Sequence, residues 1–196
     1  MTRPRSWLSV AGVAGPTVLL AAFALAAAAS PEFDGPTDPF SVAGAGEGVV
    51  AVAFNAGLVL GGLLALAFVP WLREEYGRVV ALAYGLVAAS FAAAGVFPVG
   101  SGLHWVAAVA FVGAPVVLLA AAVVDWRAGR PRIAVLVAGL GAVSLGVWLP
   151  YDLQMASLQI GYAVAEFLSV AALAAWGGLC AGSLRGADGE PSSADR

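Results

Sequence analysis

The sequence predicts an all-α fold, a polytopic transmembrane bundle of six helices with both ends in the cytoplasm, and three observations predict it. The chain of 196 residues is 61% hydrophobic and only 11% charged, with a mean hydropathy of +0.93, far from the composition of soluble domains. A soluble domain of this size buries only about two thirds of its unfolded surface and needs a polar exterior for the rest, so the apolar excess here faces lipid. Six apolar stretches each reach the roughly 17–25 helical residues needed to cross a hydrocarbon core about 30 Å thick. All nine basic residues are arginines, and all of them fall on one side of that arrangement.

The first stretch, 7–29, follows Arg3 and Arg5 and contains Pro16, which is expected to kink it. Its small residues Ala26 to Ser30 resemble a secretory cleavage site. The apolar run of a signal peptide is about 7–15 residues, however, and this one is about 23, so it is read as a retained span. The second stretch, 48–70, ends at Pro70 and carries Asn55 and the pair Gly57 and Gly61, a spacing that lets helices approach closely. The third, 79–97, ends before Pro98 and carries Ser90. The fourth, 104–124, opens on His104 and contains Pro115; the fifth, 133–150, carries Ser144 and ends at Pro150. The sixth, 158–181, carries Gln159, Tyr162, Glu166 and Ser169 at spacings that place them on one helical face. Proline at a span end is expected because it cannot donate into a continuing helix. Residues 1–181 thus form a single transmembrane domain, and the polar tail 182–196 reads as disordered.

Orientation follows from the arginines, which are retained on the cytoplasmic side during insertion. Arg3 and Arg5 precede span one, Arg73 and Arg78 separate spans two and three, Arg127, Arg130 and Arg132 separate four and five, and Arg185 and Arg196 follow six. The opposite loops, 30–47, 98–103 and 151–157, carry Glu32, Asp34, Asp38, Glu47 and Asp152 but no arginine. Trp7, Trp71, Trp105, Trp126, Trp148 and Trp176 fall at or near span ends, where indole prefers the interface. Glu74 and Glu75 beside Arg73 and Arg78 read as a solvated, charge-balanced turn.

Composition also excludes chemistries. Without lysine no retinal or pyridoxal Schiff base forms. A single cysteine, Cys180, excludes an intrachain disulfide and a thiolate metal cluster. The lone His104 excludes multi-histidine metal and haem sites, no basic field points to nucleic acid, and no cofactor is implied. Acidic loops and arginine-only basic usage suit a high-salt, GC-rich organism.

An ionisable group inside a span costs about 2.5–3.5 kcal/mol on insertion scales and therefore needs a partner or a purpose. Glu166 is the one acid placed inside these spans, roughly 12 Å from the outer surface at 1.5 Å per residue. Asn55, Ser90 and Ser144 lie about 9–11 Å from the same surface by the same arithmetic. His104, Asp152 and Glu47 lie above this layer, so an outward-facing vestibule is expected.

At this point the chain resembles the domain of unknown function 998 family, small six-helix prokaryotic membrane proteins. The resemblance rests on Pro-Phe-Ser at 39–41, Phe54-Asn55 followed by the glycine-rich Gly57 to Gly62, Gly95-Val96-Phe97-Pro98 followed by His104, and an acid in the last span, Glu166. Where the outer loop of that family often has Ser-Asp-Leu-Gly, this chain has Ala43-Gly44-Ala45-Gly46-Glu47, which shifts the acid to Glu47. The resemblance covers nearly the whole chain and implies a fold and a membrane location, not an activity.

Three functions compete. The first is a non-enzymatic transporter- or sensor-like protein binding a lipid, small ligand or cation at Glu166, Asn55, His104, Tyr162, Gln159, Ser90, Ser144, Asp152 and Glu47. The second is an intramembrane lipid-modifying enzyme with His104 as base and Glu166 or Asp152 as acid, which requires those groups within hydrogen-bond reach of a nucleophile. The third is a scaffold subunit packing through small residues against other membrane proteins.

Overall fold

The computed structural model describes residues 5–35, 37–148 and 161–187, and among them the regular structure is all helical. The elements are α1 (Arg5–Ala29), the single turn α2 (Val42–Ala45), α3 (Val49–Leu66), α4 (Val69–Glu75), α5 (Gly77–Val96), α6 (Val106–Arg127), α7 (Pro131–Gly146) and α8 (Tyr162–Ala187). Pro150, Asp152, Gln159 and the tail residues 188–196 lie outside the described residues.

Among the described residues, five segments are long and apolar enough to cross a membrane: Val10–Ala29, Val49–Glu75, Gly77–Val96, Val106–Arg127 and Tyr162–Ala181. The chain is a multi-pass membrane protein whose helices contact lipid. The fifth expected span, 133–150, corresponds to α7, whose 16 described residues fall short of the roughly 17–25 that a crossing takes. A second expectation is corrected at Pro70. The segment does not stop there but breaks at Ala67 and Phe68 and resumes as α4, with Pro70 in its first turn, where the missing N–H would have had no intrahelical acceptor.

The long helices form a ring in chain order, α1 on α3, α3 on α5, α5 on α6, α6 on α7, α7 on α8, and α8 back on α1. Neighbours are antiparallel, and small residues set their spacing. Gly57 and Gly61 meet Ala22 and Leu19 of α1, the close contact their spacing predicts. A Cβ on Gly62 would stand 2.6 Å from both the Ala88 carbonyl oxygen and the Ala92 backbone nitrogen of α5. Since backbone cannot move aside as a side-chain tip can, Gly62→Ala is expected to cost about 1–3 kcal/mol, read as a lowered unfolding midpoint in detergent.

Alternation gives the bundle two unlike ends. The α4–α5 turn, with Gly77 at φ +83°, carries Arg73 and Arg78. The α6–α7 turn, with Gly129 at φ +74°, carries Arg127, Arg130 and Arg132, so this is the arginine end. The opposite, acidic end holds Glu32, Asp34, Asp38 and Glu47. Of the tryptophans, Trp105 and Trp126 are exposed near helix ends, but Trp71 and Trp176 are buried, correcting the expectation that all six mark an interface. Trp71 stacks on Phe68 with ring centres 4.8 Å apart, and Trp176 meets Tyr76 and Tyr84 edge-on at 5.4 and 5.9 Å. Aromatic packing inside the ring holds these indoles more strongly than the interface attracts them.

Candidate functional site

The side chains expected to share a polar layer turn to different partners. Glu166 is buried in α8, and its Oε2 accepts a hydrogen bond from the backbone N–H of Phe40 at 2.8 Å. Asn55 Nδ2 donates to the Gly44 carbonyl oxygen at 2.9 Å, while its buried Oδ1 has no partner among the described residues. Ser144 donates to Ser169 at 3.0 Å, Ser169 donates to the Ala165 carbonyl oxygen at 2.9 Å, and Trp148 Nε1 donates to Ser169 at 3.1 Å. Ser90 is buried on α5 and, among the described residues, bonds to none of the others. Tyr162 is partly exposed with its ring 6.4 Å from that of Trp148, and Glu47 is exposed.

What unites Glu166 and Asn55 is the loop they hold. The loop between α1 and α3 does not float over the acidic end; it turns Phe40, Ala43 and Gly44 inward as a buried plug. Phe40 stacks between Phe23 at 4.5 Å and Phe33 at 5.1 Å, and Phe23 continues to Phe54 at 6.3 Å. Burying Phe40 carries its N–H away from water, and an unmatched buried amide costs about 1–3 kcal/mol; the Glu166 carboxylate meets that need. Gly44 is glycine for a related reason, because a Cβ there would collide with Asn55 Oδ1. The plug and α8 together wall an apolar groove of about 350 Å³, lined by Phe33, Phe40, Ala163, Val164, Phe167 and Leu168.

His104 lies apart from this assembly. Its Nδ1 donates to the Phe97 carbonyl oxygen at 2.8 Å and closes the loop between α5 and α6. Among the described residues no Ser, Asp or Glu side chain is within hydrogen-bond reach of it, so the base and nucleophile pairing that an enzyme needs is not assembled there. Asp152 and Gln159 lie outside the described residues.

A second polar cluster at the arginine end was not anticipated. Asp125, in the last turn of α6, is fully buried, so Glu166 is not the one acid inside a span. Asp125 Oδ1 lies 2.7 Å from Arg130 Nη2, and its Oδ2 accepts from the Tyr76 hydroxyl at 3.3 Å. Arg130 Nη1 also donates to Glu75 Oε1 at 2.7 Å, and its guanidinium stands 5.6 Å from the Tyr76 ring centre. The Tyr76 hydroxyl lies 3.6 Å from Cys180 Sγ. Burial first, then the neighbouring Cys180 and Asp125, push that hydroxyl well above the usual tyrosine range, so it remains a donor at neutral pH. One arginine thus joins the α4–α5 turn to both sides of the α6–α7 turn, and Glu75 belongs to this network rather than to a purely solvated turn. The available signal was an acid five residues before an arginine at a span end.

Among the described residues no three of His, Cys, Asp and Glu converge as metal ligands. No curated protein and no solved structure matches the chain. The family described as protein of unknown function (DUF998) matches residues 13–182, from within α1 through most of α8, and the chain belongs to that family.

Proposed function

We propose that this multi-pass protein is a non-enzymatic, sensor-like lipid binder that takes an acyl chain at its acidic end, in the groove between the plug and α8. The observation that carries this reading is the juxtaposition of an apolar groove with a restrained loop. Phe40 forms one wall of the groove while its own N–H is held by Glu166, so a chain entering the groove bears directly on the residue that seats the loop. An apolar ligand fits better than a cation, because a Glu166 oxygen is engaged by an N–H donor and the groove walls are hydrocarbon. Asn55 and Ser144 act in this reading as anchors for the plug and for α8. The one-sided arginines support six crossings with the arginine end and both termini in the cytoplasm, and the family resemblance supports a prokaryotic plasma membrane.

The test is mass spectrometry of lipids that co-purify with the full chain in detergent. A discrete acyl species is expected with the wild type and is expected to be lost from Val164→Trp, which fills the groove. Glu166→Leu should release the plug at a cost of about 1–3 kcal/mol, because the Phe40 N–H is left buried and unpaired. Equal, unselective lipid in all three proteins would refute the reading and favour a scaffold.

A further inference from the structure

A second apolar feature lies between α5 and α6, independent of the plug. Between α5 and α6 an apolar groove of about 410 Å³ opens toward the membrane, walled by Leu86, Val87, Val109, Val112, Gly113 and Val116. On α6 the exposed residues Val112, Val116, Leu119, Val123 and Trp126 recur at alternating four- and three-residue spacings, which is one helical face. That face runs into Arg127, four residues beyond Val123. On α5 the exposed Leu82 and Leu86 continue a row that begins at Arg78. The two arginines therefore stand at the arginine end of the same lipid-facing valley, with an exposed indole beside them.

Charge makes the valley selective. Of the nearby acids, Glu75 and Asp125 are both taken by Arg130, each at 2.7 Å, and Glu74 is engaged as well. Arg78 and Arg127 are exposed and, among the described residues, have no ion-pair partner. Guanidinium groups match phosphate oxygens with paired N–H donors. Length also fits. At 1.5 Å per residue, Arg78 lies about 12 Å from Leu86 and Arg127 about 16 Å from Val116, close to half of a hydrocarbon core about 30 Å thick, which is the reach of one acyl chain from its headgroup.

We infer that the α5–α6 face at the arginine end is a binding site for an anionic phospholipid, its phosphate held by Arg78 and Arg127 and one acyl chain lying in the groove. The test adds phosphatidylglycerol or phosphatidylcholine of identical chains to the delipidated full-length chain and counts retained lipid by native mass spectrometry. An arginine near a membrane surface contributes about 1 kcal/mol toward anionic lipid, which is about fivefold in affinity. The wild type should therefore favour phosphatidylglycerol by about 25-fold, and Arg78→Gln with Arg127→Gln should abolish the preference. Arg73→Gln with Arg132→Gln removes the same charge from other elements and should preserve it. Val112→Trp should weaken both lipids and leave their ratio unchanged, while Val164→Trp at the far end should change neither.

A wild type without preference, or a preference that survives loss of Arg78 and Arg127, overturns the inference. So does an equal loss in the Arg73 and Arg132 variant, which would make the effect a diffuse charge, or full binding in Val112→Trp. All four arginines are exposed, and matching unfolding midpoints confirm that each variant is folded.

Discussion

Replacing Arg130 with glutamine is expected to cost about 3 kcal/mol of stability, the low end of the range for breaking a buried ion pair. The Asp125 side chain has no exposure while that of Arg130 is 29% exposed, so the carboxylate suffers most when its partner goes. Tyr76 remains as one donor, which keeps the expected cost at the low end. Unfolding in detergent, followed by the fluorescence of the neighbouring Trp176, measures it. Adding Asp125→Asn to the same chain should recover a large part of the loss, because the buried charge is then gone as well. A double variant no more stable than the single one would show that Asp125 is not what Arg130 serves. Glu75→Gln should cost under about 1 kcal/mol, since that side chain is 42% exposed and its pair is screened by water.

Phe40→Ala is expected to cost a further large amount, about 3 kcal/mol, near the lower bound for truncating a buried phenylalanine. Three effects combine. The stack from Phe33 through Phe40 to Phe23 is broken, a cavity opens beside Phe54, and the Phe40 amide and Glu166 lose the burial that holds them together. The position-resolved readout is amide hydrogen exchange, with protection at residue 40 and across the loop 30–48 collapsing while α5 and α6 keep theirs. Uniform loss across the bundle would mean that the plug is integral to the ring; no loss at all would mean that the Glu166 bond alone seats the loop.

Much of this fold was legible in the sequence because a membrane-crossing helix announces itself by length and apolarity, without reference to its neighbours. The α1 and α5 boundaries came out close for that reason. Pro70 misled because proline ends one helix and begins the next equally well, and the local sequence does not say which. Asp125 was missed because the apolar run was cut at Val124, one residue short, and Trp126 and Arg127 then looked like the start of a loop. Trp71 and Trp176 were misplaced because indole suits both an interface and an aromatic core. The depth of Glu166 could be counted along one helix, but its partner could not be found this way. That partner is a main-chain N–H from a loop 126 residues earlier, and every residue except proline owns such a group.

The closure of the ring between α1 and α8 sets an order for biogenesis. Gly12 of α1 and Gly177 of α8 touch backbone to backbone, yet they lie at opposite ends of the translated segment. Until α8 emerges, one flank of α1 has only lipid to pack on, the Phe40 amide has no acceptor, and Tyr76 lacks its neighbour Trp176. The nascent bundle is therefore an open crescent through most of its synthesis, and insertion of the last helix completes the acidic-end and arginine-end networks in a single event. A quality-control protease that recognises unpaired polar groups within the bilayer would find the Phe40 amide unpaired before that event and paired after it.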